Sequence, residues 1–245
     1  MTEGADLGIH QRVALVTGAT SGIGKAAALA LAADGFLVLV HGRDAARGAA
    51  TVREIEAAGG RARFLSADVS DPDDVARLAS AAGEVDVLVN NAGISWFGPS
   101  AELDTARFDA LFASNVRAAY QLVAALAPGM VKRGRGSIIS LDSMAGRVGL
   151  AGGAAYGATK AALTAMSRAW AAEYSPAGVL VNTVAPGPVS TGADPELIKQ
   201  LGTTTLLGRA ARAEEIGEVI AFLASPKASY ITGAVIPVDG GRTAI

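Results

Sequence analysis

The chain predicts an α/β fold, a single Rossmann-type doubly wound domain around a mainly parallel seven-stranded sheet. Three observations carry this. Short β-branched runs alternate with Ala-rich stretches along the whole length, the pattern of repeated β-α units. Those runs are nearly all apolar rather than alternating, as strands covered on both faces are. No composition shift, repeat, low-complexity tract or linker divides the 245 residues, an ordinary length for one α/β domain.

The first strand, Val13–Thr17, follows a tail at 1–11 and runs into a glycine-rich turn, with a helix beginning near Lys25. Strands at Leu37–His41 and Ala62–Ser66 come next. Then comes a strong helix start: Asp71 as N-cap, Pro72 at the first helical position and Asp74 in the first turn. Further strands are expected at Val85–Asn90, Ser137–Leu141, Val179–Ala185 and Val235–Val238, with helices between them.

Composition removes several classes of function. Half of the chain is hydrophobic, enough for a large core, and a net charge of −2 leaves no electrostatic footprint for nucleic acid. Without cysteines there is no disulfide or thiol chemistry, and two histidines, His10 and His41, are too few for a metal cage or a Ser-His-Asp hydrolase. The first residues lack a basic and then apolar leader, and apolar runs are interrupted short of membrane-spanning length, as by Asp34. A soluble, cytoplasmic protein with no membrane partner is expected.

Thr17-Gly18-Ala19-Thr20-Ser21-Gly22-Ile23-Gly24 links a strand to a helix. Glycines there permit a tight turn and let a pyrophosphate approach the backbone at the positive helix end. The spacing is Gly-x-x-x-Gly-x-Gly rather than the more familiar Gly-x-Gly-x-x-Gly. After the second strand, Gly42 stands where an NAD site places a carboxylate, and Arg43 follows it. An arginine suits a ribose 2′-phosphate, which favours NADP(H) over NAD(H). Arg43 as a solvated loop charge, and Asp44 as a helix cap or ribose ligand, are the alternatives.

Tyr156 and Lys160 stand four apart in an Ala-rich helical stretch and so share a face, with Ser143 thirteen positions upstream. A cation beside a phenol favours its ionised form and lowers its pKa. A serine hydroxyl at a strand end can bond the same substrate oxygen. This is a proton-transfer site for a carbonyl or an alcohol. Ser143 follows the fifth strand and Thr191 the sixth, at the carboxyl edge where ligands of such sheets lie.

Thr17–Gly24, Asp68-Val69, Asn90-Asn91-Ala92-Gly93, Asn115, Ser143, Tyr156 with Lys160, and Pro186-Gly187 before Thr191 occur in this order. In this the chain resembles the short-chain dehydrogenase/reductase family, from Arg12 to the C-terminus. The resemblance implies a nicotinamide oxidoreductase acting on a small-molecule carbonyl or alcohol, with Tyr156 as acid. It implies that Asp68 and Val69 hold the adenine, Asn91, Ala92 and Gly93 the adenosine side, and Val189 with Thr191 the carboxamide. It further implies that Lys160 binds the ribose and Asn115 anchors a water of the proton relay. Its short branch includes 3-oxoacyl-acyl-carrier-protein reductases, the nearer alternative; a non-catalytic NADP(H) sensor is the more distant one.

One departure is Asp142 immediately before Ser143, which strand alternation would point away from the site. The cluster Lys132-Arg133-Gly134-Arg135 is expected as a solvated turn at the opposite end of the sheet. Substrate walls should come from Ser95 to Phe97, Met144 to Leu150 and Ser190 to Leu207. Few charges mark the helix of Tyr156, so a partner copy should cover it, and a homotetramer is expected.

Overall fold

A computed structural model describes residues 11–192 and 195–244. The expected tail, His10 and two positions of the expected Ser190–Leu207 wall lie outside the described residues. Among the described residues, seven strands form one sheet in the order β3-β2-β1-β4-β5-β6-β9. They are β1 (Val13–Val16), β2 (Leu37–Gly42), β3 (Arg61–Ser66), β4 (Val87–Asn90), β5 (Gly136–Leu141), β6 (Val179–Pro186) and β9 (Val235–Val238). Every pairing is parallel. Two-residue strands β7 (Val189–Ser190) and β8 (Ala211–Arg212), absent from the sequence reading, pair with each other.

Boundaries match the expectation to within two residues. The largest shift is at β4, which starts at Val87 because Asp86 works as a lock: its Oδ2 accepts from the Val13 amide at 2.9 Å. β3 departs from the all-apolar pattern, with Arg61 and Arg63 exposed, because it is an edge strand with a solvated side.

Helices cover both faces. α1 (Gly22–Ala33), α2 (Ala45–Ala57) and α8 (Ala213–Ala224) bury Leu31, Ile55 and Ile216 with Val38 and Ile139 on one side. α3 (Pro72–Ala82), α5 (Ala118–Arg133) and α6 (Ala154–Tyr174) bury Leu78, Leu122 and Leu163 with Leu88 and Ile138 on the other. Crossovers between parallel strands need connections of this length, so the Ala-rich segments become helices. α3 starts as expected: Asp71 accepts from the amides of Asp73 (2.8 Å) and Asp74 (3.4 Å). A short helix, α7 (Pro195–Gly202), lies between β7 and β8.

Two expectations are corrected. α4 (Thr105–Phe112) continues through a π-helical turn (Ala113–Arg117) into α5, so Thr105–Arg133 is long and apolar enough to cross a membrane. More than half of its most apolar window is packed inside the protein, which makes it a core helix by position. The basic cluster is exposed as expected at Lys132, Gly134 and Arg135, but not at Arg133. Arg133 is largely buried and donates to the Val85 carbonyl at 2.6 Å, and Arg135 approaches Asp86 at 3.5 Å. The two arginines brace the entry to β4 from the end of α5.

Candidate active site

The glycine turn is held from behind by three side chains. Thr17 Oγ1 donates to the Val89 carbonyl and accepts from the amides of Asn91 and Ala92, at 2.9 to 3.1 Å. Asn91 Nδ2 donates to the carbonyls of Thr17 (2.8 Å) and Gly18 (3.3 Å). The asparagine expected on the adenosine side is therefore used to tie β4 to the turn. Gly24 fits because a Cβ there would meet the Gly18 oxygen at 2.3 Å and Asn91 Nδ2 at 2.4 Å. α1 then starts without a side-chain cap and without an acid in its first turn, leaving its positive end for an anion.

His41 is the third support, and the sequence reading gave it no role here. Its ring is buried, with Nδ1 accepting from the Gly18 amide at 3.1 Å and Nε2 facing the Ala67 carbonyl at 3.1 Å. Those partners define a neutral ring protonated on Nε2. Burial pushes its pKa below the ordinary 6.5, against the pull of Ala67 and of Asp68.

In front of the turn lies a groove of about 280 Å³. Of the expected residues, Gly18, Thr20, Ser21, Arg43, Asp68, Val69, Ala92 and Gly93 line it. His41, Gly42, Asp44, Arg47, Ala67, Ile94 and Ser114 join them. Asp44 caps α2 by accepting from the Arg47 amide at 3.1 Å, one of the two alternatives for it. Arg43 Nη1 lies 3.6 Å from Asp68 Oδ2 and is mostly exposed. Asp68 accepts from the Ser70 amide and hydroxyl, which hold its carboxyl below the usual range.

Gly22, Ile23 and Gly24 form the first turn of α1, and Thr191 packs against Gly22. Pro186 ends β6, the Gly187 amide donates to Val238, and Val189 is buried beside Ala211. The segment after β6 thus returns to the glycine turn.

The second centre lies at the end of β5, on the same edge of the parallel sheet. Lys160 is buried and its Nζ donates to the Leu141 carbonyl at 2.6 Å. Ser143 caps the following turn, its Oγ accepting from the Ala145 amide, and its side chain is near enough to the Tyr156 phenol to draw that group's pKa downward. Gly157 allows that turn to rest on α6, since a Cβ would meet the Ala145 oxygen at 2.5 Å. The Phe97 ring lies 5.4 Å from that of Tyr156, tilted by 58°.

The electrostatics differ from the expected pairing. Lys160 Nζ is 5.8 Å from the Tyr156 ring centroid and faces Leu141 rather than the phenol. Burial raises the Tyr156 pKa, Ser143 opposes that, and the Asp142 charge adds to it. Burial lowers Lys160 to about 8, with Asp142 pulling upward. Asp142, expected to point away from the site, is buried against α6, accepts from Thr164 Oγ1 at 3.0 Å, and acts on both groups.

Asn115 sits in the π-helical turn with its side chain fully engaged. Oδ1 accepts from the Ile94 amide and Nδ2 donates to the Ile94 carbonyl, both at 2.8 Å, and to Thr159 Oγ1 at 3.0 Å. It joins the loop after β4 to the helix of Tyr156.

Comparison with known proteins agrees with this layout. Residues 18–243 match the family model described as Enoyl-(Acyl carrier protein) reductase. The cis-4-hydroxycyclohexanecarboxylate dehydrogenase of Sinomonas cyclohexanicum is 40% identical over 96% of this chain and 98% of its own. The 3-oxoacyl-[acyl-carrier-protein] reductase FabG of Thermotoga maritima is 35% identical over 95% and 98%. A crystal structure of a blue fluorescent protein from a metagenomic library, in complex with NADPH, is 38% identical, with a TM-score of 0.89 over 94% and 97%. The chain belongs to the short-chain dehydrogenase/reductase family, a family of oxidoreductases.

The lowered His41 pKa has a signed consequence. Below 6.5 the unfolded chain takes up a proton that the folded ring resists, so stability is present above 6.5 and lost as pH falls toward the folded pKa. Urea midpoints measured between pH 7.5 and 5.5, roughly one unit either side of the histidine reference, should fall in the native protein. His41→Gln, which keeps a donor and an acceptor and does not titrate there, should lose that component. Equal slopes for both proteins would refute this.

Proposed function

We propose that the protein is an NADP(H)-dependent oxidoreductase moving hydride between nicotinamide and a carbonyl or secondary alcohol, with Tyr156 as general acid and base. The juxtaposition of Ser143, Tyr156 and Lys160 at the end of β5, on the sheet edge that also carries the glycine turn, supports it best. The uncapped start of α1, the adjoining groove and Arg43 fit a dinucleotide phosphate. Bound there, NADP(H) would supply or accept the hydride.

In reduction the Tyr156 phenol gives its proton to the carbonyl oxygen, and the Ser143 hydroxyl donates a hydrogen bond to the same atom. Burial keeps the phenol protonated and therefore an acid at neutral pH. Lys160, charged below about 8, restrains the negative charge that the phenol then carries, and would hold the ribose of a bound cofactor. In oxidation the same groups act in reverse. Phe97, lying over Tyr156, gives the substrate an apolar wall, while Trp96 turns into a recess with Phe108, Phe112 and Ala155. A modest, mainly hydrophobic ketone, aldehyde or secondary alcohol fits this surface.

A second reading, a 3-oxoacyl-acyl-carrier-protein reductase, is favoured by the named activity of the Thermotoga relative. A reductase screen of free ketones against carrier-bound oxoacyl substrates, following loss of NADPH, separates the two.

Assembly belongs to the same proposal. On α6, Ala154, Ala158, Ala161, Ala165, Ala169 and Ala172 are exposed with Arg168, and Phe108 and Tyr120 stand open on α4 and α5. Such a face matches a two-fold contact with a second copy, as in a homotetramer.

Tyr156→Phe keeps the ring and removes the proton donor, so turnover should fall by roughly 10²–10⁴-fold with little change in cofactor affinity. Near-native turnover would eliminate the mechanism. Arg43→Ala should raise the dissociation constant for NADPH and barely move that for NADH, as titration of both cofactors would show. Equal weakening would assign Arg43 a structural role. Light scattering should give a multiple of 24.5 kDa, whereas a monomer at micromolar concentration would sink the assembly.

A further inference from the structure

Asp142 is a carboxylate where the chain could have carried a neutral residue, and its surroundings are built around it. Its amide donates to Val184 across β6 at 2.8 Å, which fixes the backbone immediately before Ser143. Its Oδ2 accepts from Thr164 Oγ1 at 3.0 Å, one turn along α6 from Lys160. Its Oδ1 is buried without a hydrogen-bond partner. Gly146 closes over that oxygen: a Cβ there would stand 2.5 Å from Oδ1 and 3.0 Å from the Ala161 amide nitrogen. The carboxylate is thus sealed between the turn after β5 and the helix bearing the candidate catalytic pair.

A charge so enclosed is costly unless neighbouring charges or donors compensate it. The groups that face it are Lys160 and Tyr156 from α6 and Arg147 from the turn after β5, with the Thr164 hydroxyl as donor and the Ser143 amide close by. Lys160 and Arg147 draw its pKa down while burial draws it up, burial being the larger effect.

We propose that Asp142 is a positioning residue that acts by charge: a fixed buried counter-ion that sets the pH range in which Tyr156 and Lys160 hold their protons. The inference rests on the reading of Tyr156 as the acid. A carboxylate favours the protonated form of each neighbour, the neutral phenol and the ammonium. Both effects run in one direction. Reduction requires a protonated phenol and a charged lysine, and Asp142 extends both toward higher pH. Oxidation requires the phenolate, and Asp142 defers it to higher pH as well.

The test measures ionisation without relying on turnover. Tyrosinate absorbance of the purified protein is followed against pH, and Tyr156→Phe is subtracted to isolate Tyr156. The same subtraction is made in the background of Asp142→Asn. The Tyr156 midpoint should fall in the variant, by roughly threefold to tenfold in acid dissociation constant. Where turnover is measured, with NADPH and cyclohexanone as probe, the alkaline limb should move to lower pH by a similar amount. Asp142→Ser, smaller and neutral, repeats the measurement if the amide is not accommodated. An unchanged or raised midpoint in a folded Asp142 variant overturns the inference, even where Tyr156→Phe abolishes turnover. Undiminished turnover in Tyr156→Phe overturns the reading of the site instead, whatever the midpoint does.

Discussion

A lysine buried to the depth of Lys160 must find acceptors, and its acceptor here is the Leu141 carbonyl at the last residue of β5. That hydrogen bond fixes how α6 lies on the sheet. With it in place, Tyr156, one turn earlier, is brought near the Ser143 side chain. Gly157 completes the fit, because any side chain would hold the turn after Ser143 away from the helix. The second tie runs through Asn115, whose amide group joins Ile94 to Thr159 on the same helix. A π-helical turn carries that asparagine, consistent with the frequent placement of such turns at functional positions. Sheet end and loop are thus each tied to the helix that carries Tyr156 by buried polar contacts.

The nucleotide end is built by the same economy. Thr17, Asn91 and His41 satisfy the backbone groups behind the glycine turn, so the front of the turn faces the groove unobstructed. Each is buried or half-buried and each bonds the backbone, the usual destiny of polar groups in a parallel sheet. Asn91 and His41 show why a motif and its contacts differ. Their positions on strand ends were readable, but which way each side chain turns depends on strands β3 and β4 arriving alongside.

Much of the architecture was legible because both-face burial leaves the central strands nearly all apolar, with only scattered polar residues such as Ser140 and Asn182. The reading was least accurate where other forces act: at β3, an edge with arginines, and at Asp86, where a side-chain lock replaces the first residues of a strand. The helix Thr105–Arg133 was not read as one apolar element because its exposed charges, such as Asp109 and Arg117, interrupt the apolar pattern while its buried face is recognisable only from the packing. Arg133 and Arg135 read as solvated from composition alone. Their contacts with Val85 and Asp86 are long-range and have no local signature. At the candidate catalytic centre the proximity of Ser143, Tyr156 and Lys160 was readable and the electrostatics were not. Spacing places a lysine near a tyrosine, but it does not reveal that the ammonium bonds Leu141 or that burial dominates the phenol.

The distribution of charge in the groove bears on which dinucleotide fits. Two carboxylates could in principle take ribose hydroxyls there, Asp44 and Asp68. Asp44 is engaged in capping α2, and Asp68 in bonds to Ser70 with Arg43 alongside. Gly42, at the end of β2, has no side chain to offer, and a Cβ there would crowd the Thr20 methyl at 2.5 Å. What the groove presents outward is the mostly exposed Arg43, with Arg47 beside it on the lining. Two carboxylates with partners of their own and a guanidinium open to the groove suit the phosphate that the proposed NADP(H) reading would place there. Under the proposed reading, selectivity would come from how the two aspartates are occupied as much as from the arginine itself, since freeing either one would restore a ligand for the ribose.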